Sequence, residues 1–183
     1  VLKLPMDEVL IFMIDEDHFI CTPDPDIDSD IKLIFPSAVF IELFSKWFKT
    51  QEDPSADAYM LIGQAYYMLK DYDNSLPNVQ KGIDKYIALG SVPKEGWLNL
   101  LSNIYRQKDQ FAKMLPVVQQ LVKHYPKKTY LTTMAGIYNE LDEQEKMTAM
   151  YQGMYGQQLL STERELVTLA SLLMSQESPY QAS

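Results

Sequence analysis

With one cysteine, Cys21, the chain has no partner for an internal disulfide and no cysteine set for a metal. It has two histidines, His18 and His124, in unrelated segments. Gly-rich phosphate loops, Ser or Cys nucleophile motifs and His/carboxylate metal spacings are all missing. These absences predict a non-enzyme without cofactor or metal. There is no apolar run of about 18 residues or more, so no membrane-spanning helix is expected. Cationic residues are also scarce, 16 Lys and Arg against 25 Asp and Glu, with no basic stripe to neutralise phosphates. Nucleic acid is therefore not an expected partner.

The acidity is uneven. Residues 1–55 hold four Lys and twelve Asp or Glu, which leaves twelve basic and thirteen acidic groups for residues 56–183. Residues 1–36 read as an irregular acidic N-terminal segment. Within it VLIFMID, Val9 to Asp15, is apolar throughout, which suits a short buried strand or a turn of buried helix, and periodicity does not choose between them. Asp24, Asp26, Asp28 and Asp30 alternate like the start of a calcium loop. The glycine and the bidentate glutamate such a loop needs are replaced by Ser29 and Phe35, so the stretch reads as a solvated acidic loop.

From Ser37 onward a helical period takes over. Phe40, Leu43, Phe44, Trp47 and Phe48 follow i, i+3, i+4, i+7, i+8, and Asp53-Pro54 marks a stop. Ala56 to Gly82 then shows a large/small rhythm. Counting Ala56 as position 1, Tyr59, Ile62 and Tyr66 fill positions 4, 7 and 11, and the small residues Gly63, Ser75 and Gly82 fill 8, 20 and 27. The small residues mark where two antiparallel helices approach most closely, and the large ones fill the spaces between successive pairs. The register restarts at Glu95 (Leu98, Leu101, Ser102, Tyr105, with Met114 at position 20) and at Lys128 (Leu131, Met134, Ala135, Tyr138). It restarts again at Glu163, where Thr162 and Glu165 form a capping-box pair. Pro77 and Pro116 share position 22, near the start of each second helix, where a missing N–H is tolerated.

The expected fold is all-α, a right-handed solenoid of antiparallel helix pairs over residues 37–183. It comprises a half repeat at 37–53, repeats from 56, 95 and 128, and a partial repeat from 163. In such a solenoid the first helices line a concave wall. Repeat positions near 2, 5, 9 and 12 place Met60, Gln64, Tyr67, Asn99, Asn103, Arg106, Thr132 and Asn139 on it. Amides there can pair with the main chain of an extended peptide, while Met60 and Tyr67 supply apolar area. Asn99, Asn103 and Arg106 equally fit a plain solvated helix face. Self-association through the last helix is a further expectation, since a solenoid cut short exposes apolar surface.

The pattern resembles the tetratricopeptide repeat. More closely, PSADAYMLIGQAYYMLKDYD, EGWLNLLSNIYRQKDQF, LVKHYPKKTYLTTMAGIYNEL and ERELVTLASLLMSQESPYQA, with FIELFSKWF ahead of them, resemble in order the periplasmic tetratricopeptide proteins encoded with TonB, ExbB and ExbD systems of gammaproteobacteria. The resemblance covers about residues 38–183. It implies a non-catalytic accessory of an energy-transducing iron-uptake complex, located in the periplasm, with TonB, ExbB or ExbD subunits as partners. The chain starts at Val1, not Met, which fits a fragment or processed chain that has lost a signal peptide. The resemblance also implies a helical pair in residues 1–36, where Pro23 and Pro25 oppose it.

Overall fold

The computed structural model describes residues 2–3, 9–15, 18–23 and 33–177. The chain divides into two compact units, residues 1–104 and 105–183.

The first unit begins with strands. β1 (Leu2–Lys3), β2 (Val9–Asp15), β3 (His18–Pro23) and β4 (Leu33–Pro36) form an antiparallel sheet in sequence order. Ile11 lies opposite Thr22 and Asp15 opposite His18. This corrects the expectation of an irregular segment, and strands stand where the resemblance implied a helical pair. VLIFMID and HFICT are rich in β-branched and aromatic residues, which fit a pleated surface. The alternating Asp24 to Asp30 lie outside the described residues.

β4 leads directly into α1 (Ser37–Thr50), and from there the described chain is helical: α2 (Ala56–Met68), α3 (Tyr72–Ala88), α4 (Glu95–Gln107), α5 (Phe111–His124), α6 (Lys128–Glu140), α7 (Gln144–Gly156) and α8 (Glu163–Glu177). The four repeat starts expected from the register, Ala56, Glu95, Lys128 and Glu163, are all first residues of helices. α1 packs on α2 as the half repeat should. Phe44 is buried with Ala58, Ile62 and Ala65, and the Phe48 ring meets Tyr59 edge-on at 4.9 Å. The side chains of Phe40, Leu43 and Trp47 lie outside the described ones.

The seam between α2 and α3 explains the small residues. A Cβ on Gly63 would stand 2.6 Å from Val79 Cγ2 and 3.0 Å from the Val79 backbone nitrogen. A Cβ on Gly82 would meet the Ala56 carbonyl oxygen at 3.0 Å and Met60 at 2.9 Å. One turn before Val79 on α3, the buried Ser75 hydroxyl donates to the Gly63 carbonyl at 2.7 Å. Two backbones approach this closely only where side chains are absent or can bond to the opposite chain. Ser55 caps α2 by accepting from the Ala58 N–H at 3.2 Å, just after the Pro54 stop.

The repeats share one turn. Lys70, Asp109 and Asp142, all at position 15, adopt left-handed φ of 60°, 52° and 56°. The next residue's N–H then bonds back to the carbonyl of Tyr66, Tyr105 or Tyr138, at 2.9, 2.9 and 2.8 Å. This is the Schellman closure, built here without its usual glycine. The second helix begins one residue later, and Asp71 caps α3 through the Asn74 N–H at 3.1 Å. Gln110 and Glu143, at the same position, make no side-chain cap. Pro77 and Pro116 sit just past the first turns of α3 and α5 and face solvent.

In the second unit α5 buries Met114, Val117, Val118 and Leu121, α6 buries Tyr130, Ala135 and Ile137, and α7 buries Thr148 and Met154. The capping box is formed as expected. Thr162 Oγ1 accepts from the Glu165 N–H at 3.3 Å, and a Glu165 carboxylate oxygen accepts from the N–H groups of Thr162 and Ser161 at 3.0 and 2.9 Å. Lys128, the first residue of α6, donates to the same carboxylate at 3.0 Å and so ties α6 to α8. Lys128 foremost, and then the two backbone donors, hold the Glu165 carboxyl at about 2, against an ordinary 4.5.

A depressed carboxyl stabilises the fold above its unfolded value and ceases to do so as pH falls toward the folded one. The Tm gap between wild type and Glu165→Gln is therefore expected to be widest above pH 4.5 and to close on acidification toward about 2. A gap that stays constant in thermal melts across that window would refute the assignment.

Candidate peptide-binding surface

Position in the repeat, and then burial, sort the eight wall residues. On α2, Gln64 and Tyr67 are half-buried, and the Tyr67 ring lies 5.6 Å from Tyr72. Met60 does not reach a wall. It is 5% exposed and fills the space that Gly82 leaves open on α3, so it belongs to the seam. The generic position rule misplaced it because a glycine opposite turns a groove position into a packing position.

On α4, Asn99 is half-buried and Asn103 and Arg106 are exposed, in one row at i, i+4, i+7. The opposite face of α4 buries Leu98, Leu101, Ser102 and Ile104, so the polar row is held on a well-anchored helix. On α6, the half-buried Thr132 donates its hydroxyl to the Thr129 carbonyl at 2.9 Å, and the exposed Asn139 accepts from Gln144 at 3.5 Å. Each unit thus presents amides and hydroxyls from first helices, groups that can both donate to and accept from a peptide main chain.

A latch fixes the approach of α4 in the first unit. The Lys94 ammonium lies 4.5 Å from the Trp97 ring centre and 5.5 Å from that of Tyr86, with the two rings edge-on at 4.8 Å. It also pairs with Asp57 of α2 at 2.9 Å. One side chain therefore engages α2, α3 and α4 together. Tyr59 receives Lys81 at 4.7 Å and Lys85 at 5.7 Å, and Lys85 also pairs with Asp53. Lys146, on α7, lies 5.6 Å over Tyr138 and takes up its proton more tightly than usual, chiefly through its bond to Glu143. The repeat pattern singled out none of these lysines, because cation–π partners are set by tertiary placement.

Among the described residues no group of three His, Cys, Asp or Glu side chains could hold a metal. No described helix is long and apolar enough to cross a membrane.

No family model matches the chain, and no curated protein matches it. Solved structures do. "MamA RS-1 ArsTM double mutant" superposes with a TM-score of 0.54 at 13% identity, over 78% of this chain and 88% of that one. "First TPR of Spaghetti (RPAP3) bound to HSP90 peptide SRMEEVD" gives a TM-score of 0.46 at 15% identity, over 68% and 97%. Over residues 37–177 the protein is an all-α, TPR-like repeat structure of the solenoid class.

Proposed function

We propose that the protein is a non-catalytic protein-interaction scaffold that holds an extended peptide against its first helices. The observation that carries this reading is the row Asn99, Asn103 and Arg106. Asn103 and Arg106 of that row are exposed on α4 while the other side of the same helix is buried. Such a row offers main-chain hydrogen bonding with little charge selectivity. Of the eight wall residues only Arg106 is basic, which disfavours a clamp for acidic peptide ends, where several helices must supply cations.

In its finer form the proposal is an accessory of a TonB–ExbB–ExbD system, acting in the periplasm. Its support is the ordered resemblance of residues 38–183 to proteins of those systems. A Pro-rich extended linker of the TonB kind is a fitting ligand, because it loses little conformational freedom on binding. The alternative is a general TPR assembly scaffold or peptide adaptor outside any TonB system, and it uses the same surface.

The test is a periplasmic pull-down with wild type and with an Asn99→Ala, Asn103→Ala, Arg106→Ala triple variant. Wild type is expected to recover TonB-system subunits and the variant to lose them, with both proteins showing the same helical far-UV circular dichroism spectrum. Equal recovery by both would reject the α4 row as the site. Recovery of those subunits by neither would reject the TonB assignment.

A further inference from the structure

In the second unit α8 is apolar on more sides than its neighbours cover. Leu169 is buried and Glu165 is tied to α6 through Lys128, so that side of the helix is taken. The other side presents Leu166, Val167, Ala170 and Met174, all exposed, with Leu173 half-buried beside them. Ala170 stands at repeat position 8. The equivalent Gly63, Ser102 and Ala135 are buried, and Val79 of α3 stands over Gly63. Position 8 is thus where a second helix comes down on the first, and among the described residues none does so on Ala170. Leu166 also lines an open pocket of about 440 Å³ with Tyr155, Gly156, Gln158 and Leu160, and Tyr155 is itself exposed.

We propose that this face binds a second copy of the chain, the two α8 helices crossing antiparallel with Ala170 against Ala170 on a two-fold axis. The spacing carries the choice of occupant. Counted from Ala170 the apolar residues stand at −4, −3, +3 and +4, and an antiparallel two-fold turns that set onto itself. A symmetric contact must be self-complementary, and here a small residue at the centre lets the helices approach while large ones flank it on both sides. The antiparallel register sets the partner's Met174 over Leu166, where its unbranched thioether chain can enter the recess beside Tyr155 and meet the ring. The area suffices for a weak dimer. Leu166, Val167, Tyr155 and Met174 are 43–71% exposed, which leaves about 500 Å² per copy and about 1,000 Å² for the pair, the lower bound of specific interfaces. Glu163 and Arg164 lie nearly two turns from Ala170, at the rim, so no charge sits at the centre of the contact. The proposal uses none of the eight wall residues and stands whether or not they bind a peptide.

Sedimentation equilibrium of the whole chain, over about a hundredfold range of concentration reaching about 0.5 mM, should show a reversible equilibrium of monomer and dimer. Ala170→Glu and Ala170→Lys each set like charges face to face on the axis and should weaken association by about tenfold or more. Both replacements are good helix formers at an exposed site, so their far-UV circular dichroism should match that of wild type. An equimolar mixture of the two variants should regain the dimer, because opposite charges then meet across the axis. Wild type that stays monomeric throughout the range would overturn the proposal and leave the face to a different polypeptide. A dimer that neither variant weakens, or two monomeric variants that do not associate on mixing, would overturn the crossing at Ala170.

Discussion

Gly63→Leu is expected to melt about 6–12 °C below wild type, the largest drop of any single change on the helix seam. The argument rests on what surrounds the missing side chain. A Cβ there would lie 2.6 Å from Val79 Cγ2 and 3.0 Å from the Val79 nitrogen, and Asn78 Cβ stands 3.4 Å away. Rotating Val79 cannot clear the backbone atom, and Val79 is itself fully buried. The helices must part, which also stretches the Ser75 bond to the Gly63 carbonyl. Overpacking of this kind costs about 3 kcal/mol at the upper end of its usual range, and for a chain of this length each kcal/mol moves Tm by roughly 2–4 °C. Gly136→Ala provides the opposite sign. Gly136 lies inside α6 with nothing near its missing Cβ, so alanine should raise Tm by about 1–4 °C through helix propensity alone. Far-UV circular dichroism melts of the two variants decide both. An unchanged Tm for Gly63→Leu would mean that α2 and α3 do not meet at this glycine.

Much of this is legible in the sequence. Helix starts are local events: Ser55 after Pro54, and Thr162 paired with Glu165, announce themselves within four residues, and the observed caps are the ones these residues form. The small residues at 63, 75 and 82 were legible because close approach leaves no other choice of residue. The strands at the N-terminal end were not. A continuous apolar run such as VLIFMID has no period, and only the pairing of Ile11 with Thr22 and its neighbours decides its conformation. Exposure along the expected wall was partly legible. Gln64, Tyr67, Asn99, Asn103 and Arg106 lie at least partly open, whereas Met60 is buried by a partner 22 residues away in sequence, Gly82.

Met154→Ala is expected to cost about 2–5 kcal/mol, measured by chemical denaturation, although alanine is the kind of residue that the repeat pattern favours there. Position 27 holds Gly82 in the first repeat and Met154 in the third, where the side chain is 2% exposed. Gly136 and Gly153 have open space around them, so α6 and α7 show no glycine contact like that of Gly63. Met154 is therefore a large buried side chain where the first repeat has none, and truncation leaves a cavity. A loss below about 1 kcal/mol would show that the helices can close over the gap, as a small residue at position 27 would require.

The two pairs consequently differ in mechanical character. α2 and α3 touch backbone to side chain across Gly63 and Gly82 and are pinned by Ser75, so their spacing has almost no slack. α6 and α7 instead carry methionines at 134, 147, 150 and 154, half-buried at the first three and buried at the last, whose unbranched thioether chains change rotamer at little cost. The first pair therefore has the character of a strut, and the third that of a compliant element.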